Sequence, residues 1–116
     1  MKKIEIFEEA LNGNGEVNYT MLRAYKVSNY ITGNDVIDFH EVIWNNEVNE
    51  IVKLCRENEI KEFTISSTFS SLIETLMLFE ELGVKTNGLT RVKAPYKDFM
   101  SNDYAIIPAI KMVVGD

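Results

Sequence analysis

A mixed α/β domain, α+β in its layout, is the fold class that this sequence predicts: N-terminal helices followed by a β-α-β-β unit forming a small mixed three-stranded sheet. Three observations point there. Phe63-Thr-Ile-Ser66 is a short β-prone run. Behind it, apolar residues recur with helical spacing at Phe69, Leu72, Ile73, Leu76 and Phe79, up to a stop at Gly83. Two further runs, Val84 to Ala94 and Tyr104 to Val114, are joined by a polar stretch from Asp98 to Asp103, as in a long hairpin. No repeat, low-complexity tract or Pro/Gly/Ser-rich linker divides the 116 residues, so a single domain over 1–116 is expected. That length can bury a core without disulfide staples.

The elements follow in order. Lys3 to Leu11 reads as a first helix, closed by Asn12-Gly-Asn-Gly. Tyr19 to Ile31 is ambiguous, because Tyr19, Met21, Arg23, Tyr25 and Val27 alternate as in a strand. Leu22, Tyr25, Asn29 and the stop at Gly33 fit a helix, and the length favours the helix. Val36 to Trp44 reads as an irregular packed connector or a short strand. Asn45 or Asn46 is the expected cap of a helix with Val48, Ile51, Val52 and Cys55 on one face. The strands at Phe63 and Val84 should be parallel through a right-handed crossover, with the last strand antiparallel as a hairpin partner. Pro108 has no amide donor, so it belongs on an edge or at a bulge.

Charge and composition exclude several classes. The chain carries a net charge of −6, and most of the excess acid lies before residue 63. A duplex-DNA binder needs a basic footprint to neutralise phosphates, so direct nucleic-acid binding is not expected. An acidic surface could instead meet a basic partner, such as a nucleic-acid-handling enzyme, or serve solubility alone. Apolar runs such as Ala105 to Ile110 are too short for a bilayer, so no membrane association is expected. Met1-Lys-Lys-Ile-Glu-Ile-Phe-Glu-Glu has glutamates where a signal peptide needs unbroken apolar residues. One cysteine suits a reducing compartment, and the expected location is cytoplasmic.

Candidate sites are few. Ser66-Ser-Thr-Phe-Ser-Ser71 opens a helix, whose first amides and dipole place roughly half a positive charge there. Ser67, Thr68 and Ser70 could therefore hold a phosphate or carboxylate, with Arg91 as counter-charge. The structural alternative is that Ser67 or Thr68 caps the helix, or that Ser71 and Glu74 form a capping box. Lys85, Arg91, Lys93 and Lys97 are all odd-numbered, so an unbulged strand would present one basic strip, unless Asn87-Gly88 carries a bulge. Such lysines also guard a sheet edge.

His40 is the lone histidine, within Asp38-Phe-His-Glu41. One His and one Cys are a poor supply for a metal site, so no metal or cofactor is expected. A Ser–His–Asp arrangement with Asp38 and a turn serine requires the fold to unite them, and no catalytic residue is assigned. Cys55 reads as a small core hydrophobe. Leu78 falls opposite the Phe69–Leu76 face on a helical wheel, with Leu82 ~40° away. The pair is a candidate self-association or partner patch.

Three stretches carry a resemblance: Asp35-Val-Ile-Asp-Phe-His-Glu-Val-Ile-Trp, Glu62-Phe-Thr-Ile-Ser-Ser-Thr-Phe-Ser-Ser-Leu-Ile-Glu-Thr-Leu, and Ala105-Ile-Ile-Pro-Ala-Ile-Lys-Met. They resemble a group of small proteins of no assigned activity, similar to cargo of plasmids and conjugative elements in gut-dwelling Firmicutes. The similarity spans residues 19 to 114. It implies a bacterial, cytoplasmic accessory protein and brings no site residue with it. The expectation is therefore a non-enzymatic module that binds a protein partner or forms a homodimer. The alternative is a small anionic-ligand domain built on the Ser66–Ser71 turn.

Overall fold

The computed structural model describes residues 18–115 together with Phe7, Glu9, Ala10 and Gly13. The expected helix from Lys3 to Leu11 otherwise lies outside the described residues. Phe7, Glu9 and Ala10 are helical, and the Phe7 ring stacks on Tyr25 with centroids 4.4 Å apart.

The ambiguous segment is a helix, α1 (Tyr19–Thr32). Asn18 accepts from the Met21 amide at its start, and Gly33, at φ 71°, donates to Asn29 at its end. Met21, Ala24, Tyr25, Ser28 and Ile31 form its buried stripe. The connector contains a two-residue strand, β1 (Asp38–Phe39). A 3₁₀ turn (Asn45–Glu47) leads into α2 (Val48–Glu57), whose buried residues are Val48, Ile51, Val52 and Cys55, as its periodicity predicts. Neither Asn45 nor Asn46 caps it. Glu47 holds the cap position without a side-chain bond, because Asn45 is turned toward the next helix.

Then come β2 (Glu62–Ile65), α3 (Leu72–Glu81), β3 (Val84–Lys97) and β4 (Tyr104–Val114). The sheet has four strands rather than three, in the order β1-β2-β4-β3. β1 is parallel to β2, and both other pairings are antiparallel. β2 and β3 thus run in the same direction, as expected, but β4 lies between them. The hairpin folds back so that its second strand, not its first, meets β2.

Strand lengths are unequal, and this matters for what stays uncovered. β2 meets β4 only from Val113 to Ile110. From Ala109 to Tyr104, β4 has β3 alone as a neighbour. Pro108 lies in that one-sided stretch, opposite Arg91, so its missing donor removes nothing from the β2 ladder.

Phe39, Phe63, Ile65, Met112 and Phe79 join one core cluster with α2 residues. Phe63 sits between two rings, 5.3 Å from Phe39 and 5.5 Å from Phe79. α1 touches both outer strands, β1 and β3, while α2 packs on α3 and β4.

Phe69, Leu72, Leu76 and Phe79 pack on the core as the spacing predicts, but the wheel misplaces two residues of α3. Thr75 and Phe79 are its buried residues, while Ile73 is 76% exposed. Leu78 and Leu82 are half-buried and pack against the core. The reason is polar: the Thr75 hydroxyl donates to Asn45 Oδ1 at 2.7 Å, and Asn45 Nδ2 donates to Glu74 at 2.7 Å. An apolar-periodicity count treats Thr75 as outward, whereas this satisfied pair lets it sit fully buried.

Candidate functional site

Two places merit a functional reading: a buried polar cluster and the far half of the hairpin. The cluster begins at β1. Paired strands place partnered side chains on one face, so the register Asp38–Thr64–Lys111 puts these three together, with Ser66 two residues on. Asp38 is buried and accepts from the Thr64 hydroxyl and, at 2.6 Å, from the Ser66 hydroxyl. Its own amide donates to Ser28 Oγ at 3.0 Å, which ties β1 to α1.

His40 Nε2 lies 3.0 Å from Asp38 Oδ2, but out of line for a directed hydrogen bond. The fold therefore does unite Asp38, His40 and Ser66. Their order is not that of a nucleophilic triad, because the carboxylate stands in the middle and the imidazole does not bridge acid and hydroxyl. The arrangement satisfies a buried carboxylate and seats the segment after β1 on the loop after β2.

The serine turn is drawn into the same seat. Ser67 donates to the Glu41 carbonyl at 2.9 Å and to that of Phe39 at 3.2 Å, which directs its hydroxyl inward. Ser71 holds the cap position of α3 without a side-chain bond, so none of the expected serine caps forms. Thr68 and Ser70 are exposed on the loop. Arg91 lies elsewhere, bordering a cavity of about 230 Å³ with Ser28, Thr32, Asp38 and Thr64, and none of Ser67, Thr68 or Ser70 lines it.

On the hairpin, a bulge decides the geometry. The register shifts between Thr86 and Leu89, with Gly88 at φ 80°, and side-chain parity along β3 flips there. Lys85 therefore faces away from the side that carries Arg91 and Lys93, and the basic strip expected from odd numbering is split. Beyond the bulge, Leu89 pairs with Ile110, which pairs with Ile65 of β2. Alternation then puts Leu89, Arg91 and Lys93 on one face with Ile106 and Pro108. This is the outward continuation of the core face, past the point where β2 ends.

It stays open. Leu89 is 80% exposed and Ile106 55%, and Phe99 and Met100 project at the turn, at 92% and 79%. On the α1 side, Val27, Tyr30, Pro95 and Tyr104 border an apolar groove of about 410 Å³.

A model of a domain of unknown function, DUF7698, matches residues 20–114, from α1 to the end of β4. The chain belongs to this family. No curated protein and no solved structure matches it.

In this DUF7698 domain, no helix is long and apolar enough to cross a membrane, and no group of three metal-ligating side chains converges, among the described residues. Cys55 is fully buried, and desolvation pushes its thiol up to about 12 from an ordinary 9.0, against a smaller opposing pull from Arg56. Folded protein at pH 8 is expected to react with a disulfide reagent only through opening, and unfolded protein at once. Because the unfolded thiol ionises first, stability should fall as pH rises from about 9 toward about 12. Prompt labelling of folded protein at pH 8 would contradict the burial.

Residue counting missed the hairpin face of the DUF7698 domain for a definite reason. Leu89, Ile106 and Pro108 read as ordinary strand residues, and only the early end of β2 leaves them open.

Proposed function

We propose that the DUF7698 domain of this chain is a non-enzymatic protein-interaction module, acting through the uncovered end of its β3–β4 hairpin. The observation that carries the reading is the exposure of Leu89, Ile106, Phe99 and Met100 along the half of the hairpin that β2 does not reach and at its turn. Several large exposed apolar side chains along one element favour a contact surface, whereas a single one needs no explanation. The inward commitment of Ser66, Ser67 and Asp38 to one another and to the backbone supports a structural role for the cluster. An accessory role in the bacterial cytoplasm, linked to a mobile element, belongs to the same proposal.

The test is a paired capture from host extract with wild type and the double variant Leu89→Ser/Ile106→Ser. Both sites are exposed, so the variant should melt within about 0.5 kcal/mol of wild type. A defined partner retained by wild type and released by the variant is the expected result. The same proteins on both baits, at equal amounts, would sink the reading.

A further inference from the structure

We infer that the partner of this face is an acidic amphipathic segment of another protein, an inference that rests on the interaction reading above. The observation is the charge on the face itself. Arg91 and Lys93 lie on it, β3 holds no acidic residue, and the chain as a whole carries a net charge of −6. Lys97 lies over the Tyr104 ring, with Nζ 5.1 Å from its centroid. Arg91 and Lys93 border the cavity that Asp38 and Glu62 also line, yet they make no ion pair among the described residues, and strand alternation sets both beside the open apolar positions Leu89, Ile106 and Pro108.

The face thus offers apolar anchor points flanked by two free cations. Its complement has apolar side chains for the anchors and carboxylates for Arg91 and Lys93. A second copy docked face to face would bring the same cations together, which costs association energy. β3 is also an outer strand, yet its ladder is interrupted by the bulge at Gly88 and by the register irregularity between Lys93 and Lys97. Both devices discourage edge-to-edge pairing of copies, so the side-chain face is the surface left for a partner.

The experiment uses fluorescein-labelled peptides of about ten residues alternating Leu with Glu, Leu with Gln, or Leu with Lys, read by anisotropy against the full chain. The Glu peptide should bind at least about tenfold more tightly than the Gln peptide, and its advantage should shrink in high salt. Arg91→Glu/Lys93→Glu should reverse the preference toward the Lys peptide, while Leu89→Ser/Ile106→Ser should weaken the Glu and Gln peptides alike. Equal binding of the Glu and Gln peptides, or an unchanged preference after charge reversal, would overturn the inference. So would sedimentation of the chain alone as a dimer that Leu89→Ser/Ile106→Ser dissociates, since a second copy would then own the face. If no peptide binds but the capture experiment still returns a partner lost in Leu89→Ser/Ile106→Ser, the acidic-segment inference fails and the interaction reading stands.

Discussion

Phe63→Ala is expected to lower the unfolding free energy by about 3–5 kcal/mol, the range for deleting a buried phenylalanine ring. Phe63 is 3% exposed and stands between Phe39 of β1 and Phe79 of α3. Its loss removes transfer energy, leaves a cavity and breaks two ring pairs, each worth about 0.5–1.5 kcal/mol beyond area. A domain of this size has about 5–15 kcal/mol in total, so the variant is expected to lose from about a fifth of its stability to nearly all of it. Phe63→Leu keeps most of the volume and should cost roughly 1.5 kcal/mol. Urea melts with unchanged slope would confirm the comparison. A loss below about 1 kcal/mol for Phe63→Ala would mean that the sheet and α3 do not meet through this ring.

The second large effect is expected at Asp38. Asp38→Ala removes the acceptor for the Thr64 and Ser66 hydroxyls and the carboxylate beside His40. Two part-buried hydroxyls lose their acceptor, each at the low end of the about 1–3 kcal/mol that an unpaired buried donor costs, so about 2 kcal/mol is expected. The loss should fall on the β1–β2 junction, because these bonds hold the segment after β1 to the loop after β2. Thr64→Val and Ser66→Ala should each cost about 1 kcal/mol, since each removes a donor and leaves the carboxylate its other partner. Combining Asp38→Ala with Ser66→Ala should then cost less than the sum, which a double-mutant cycle reads directly. Full additivity would show that the two side chains do not interact in solution.

The His40 region illustrates how far the residues alone could be read. Asp38, His40 and a turn serine are visible in the sequence as chemistry-bearing groups, but their mutual order is not. Asp38 and Ser66 are 28 positions apart, and what joins them is the parallel pairing of a two-residue strand with β2. A strand so short has no periodicity of its own. It exists because Thr64, Ser66 and Ser67 donate amides to Ile37 and Phe39 carbonyls, bonds that only the folded neighbour supplies.

The serine turn shows the same limit in another form. Hydroxyl-rich residues before a helix predict caps, because a serine oxygen ordinarily meets the first free amides. Here Ser66 and Ser67 find better-placed acceptors across the sheet, at Asp38 and at backbone carbonyls, and the cap position is left to Ser71 without a side-chain bond. The α3 wheel places Phe69, Leu72, Leu76 and Phe79 correctly and misses Ile73 and Thr75 for a related reason. Thr75 turns inward because Asn45, 30 positions away, accepts its hydroxyl.

The sequence by itself determined the local elements: the buried stripe of α2, the stop after α3 at Gly83, the long hairpin and the one-sided setting of Pro108. These depend on periodicity, backbone freedom and turn chemistry, which act within a few residues. Only the tertiary structure decided the fourth strand, the place of β4 between β2 and β3, the burial of Thr75 in α3, and the open face at Leu89 and Ile106. Each of those depends on which distant segments pair and where one strand ends before its neighbour. Backbone pairing uses the same donors and acceptors at every residue, so it leaves no local mark for a reader of the chain.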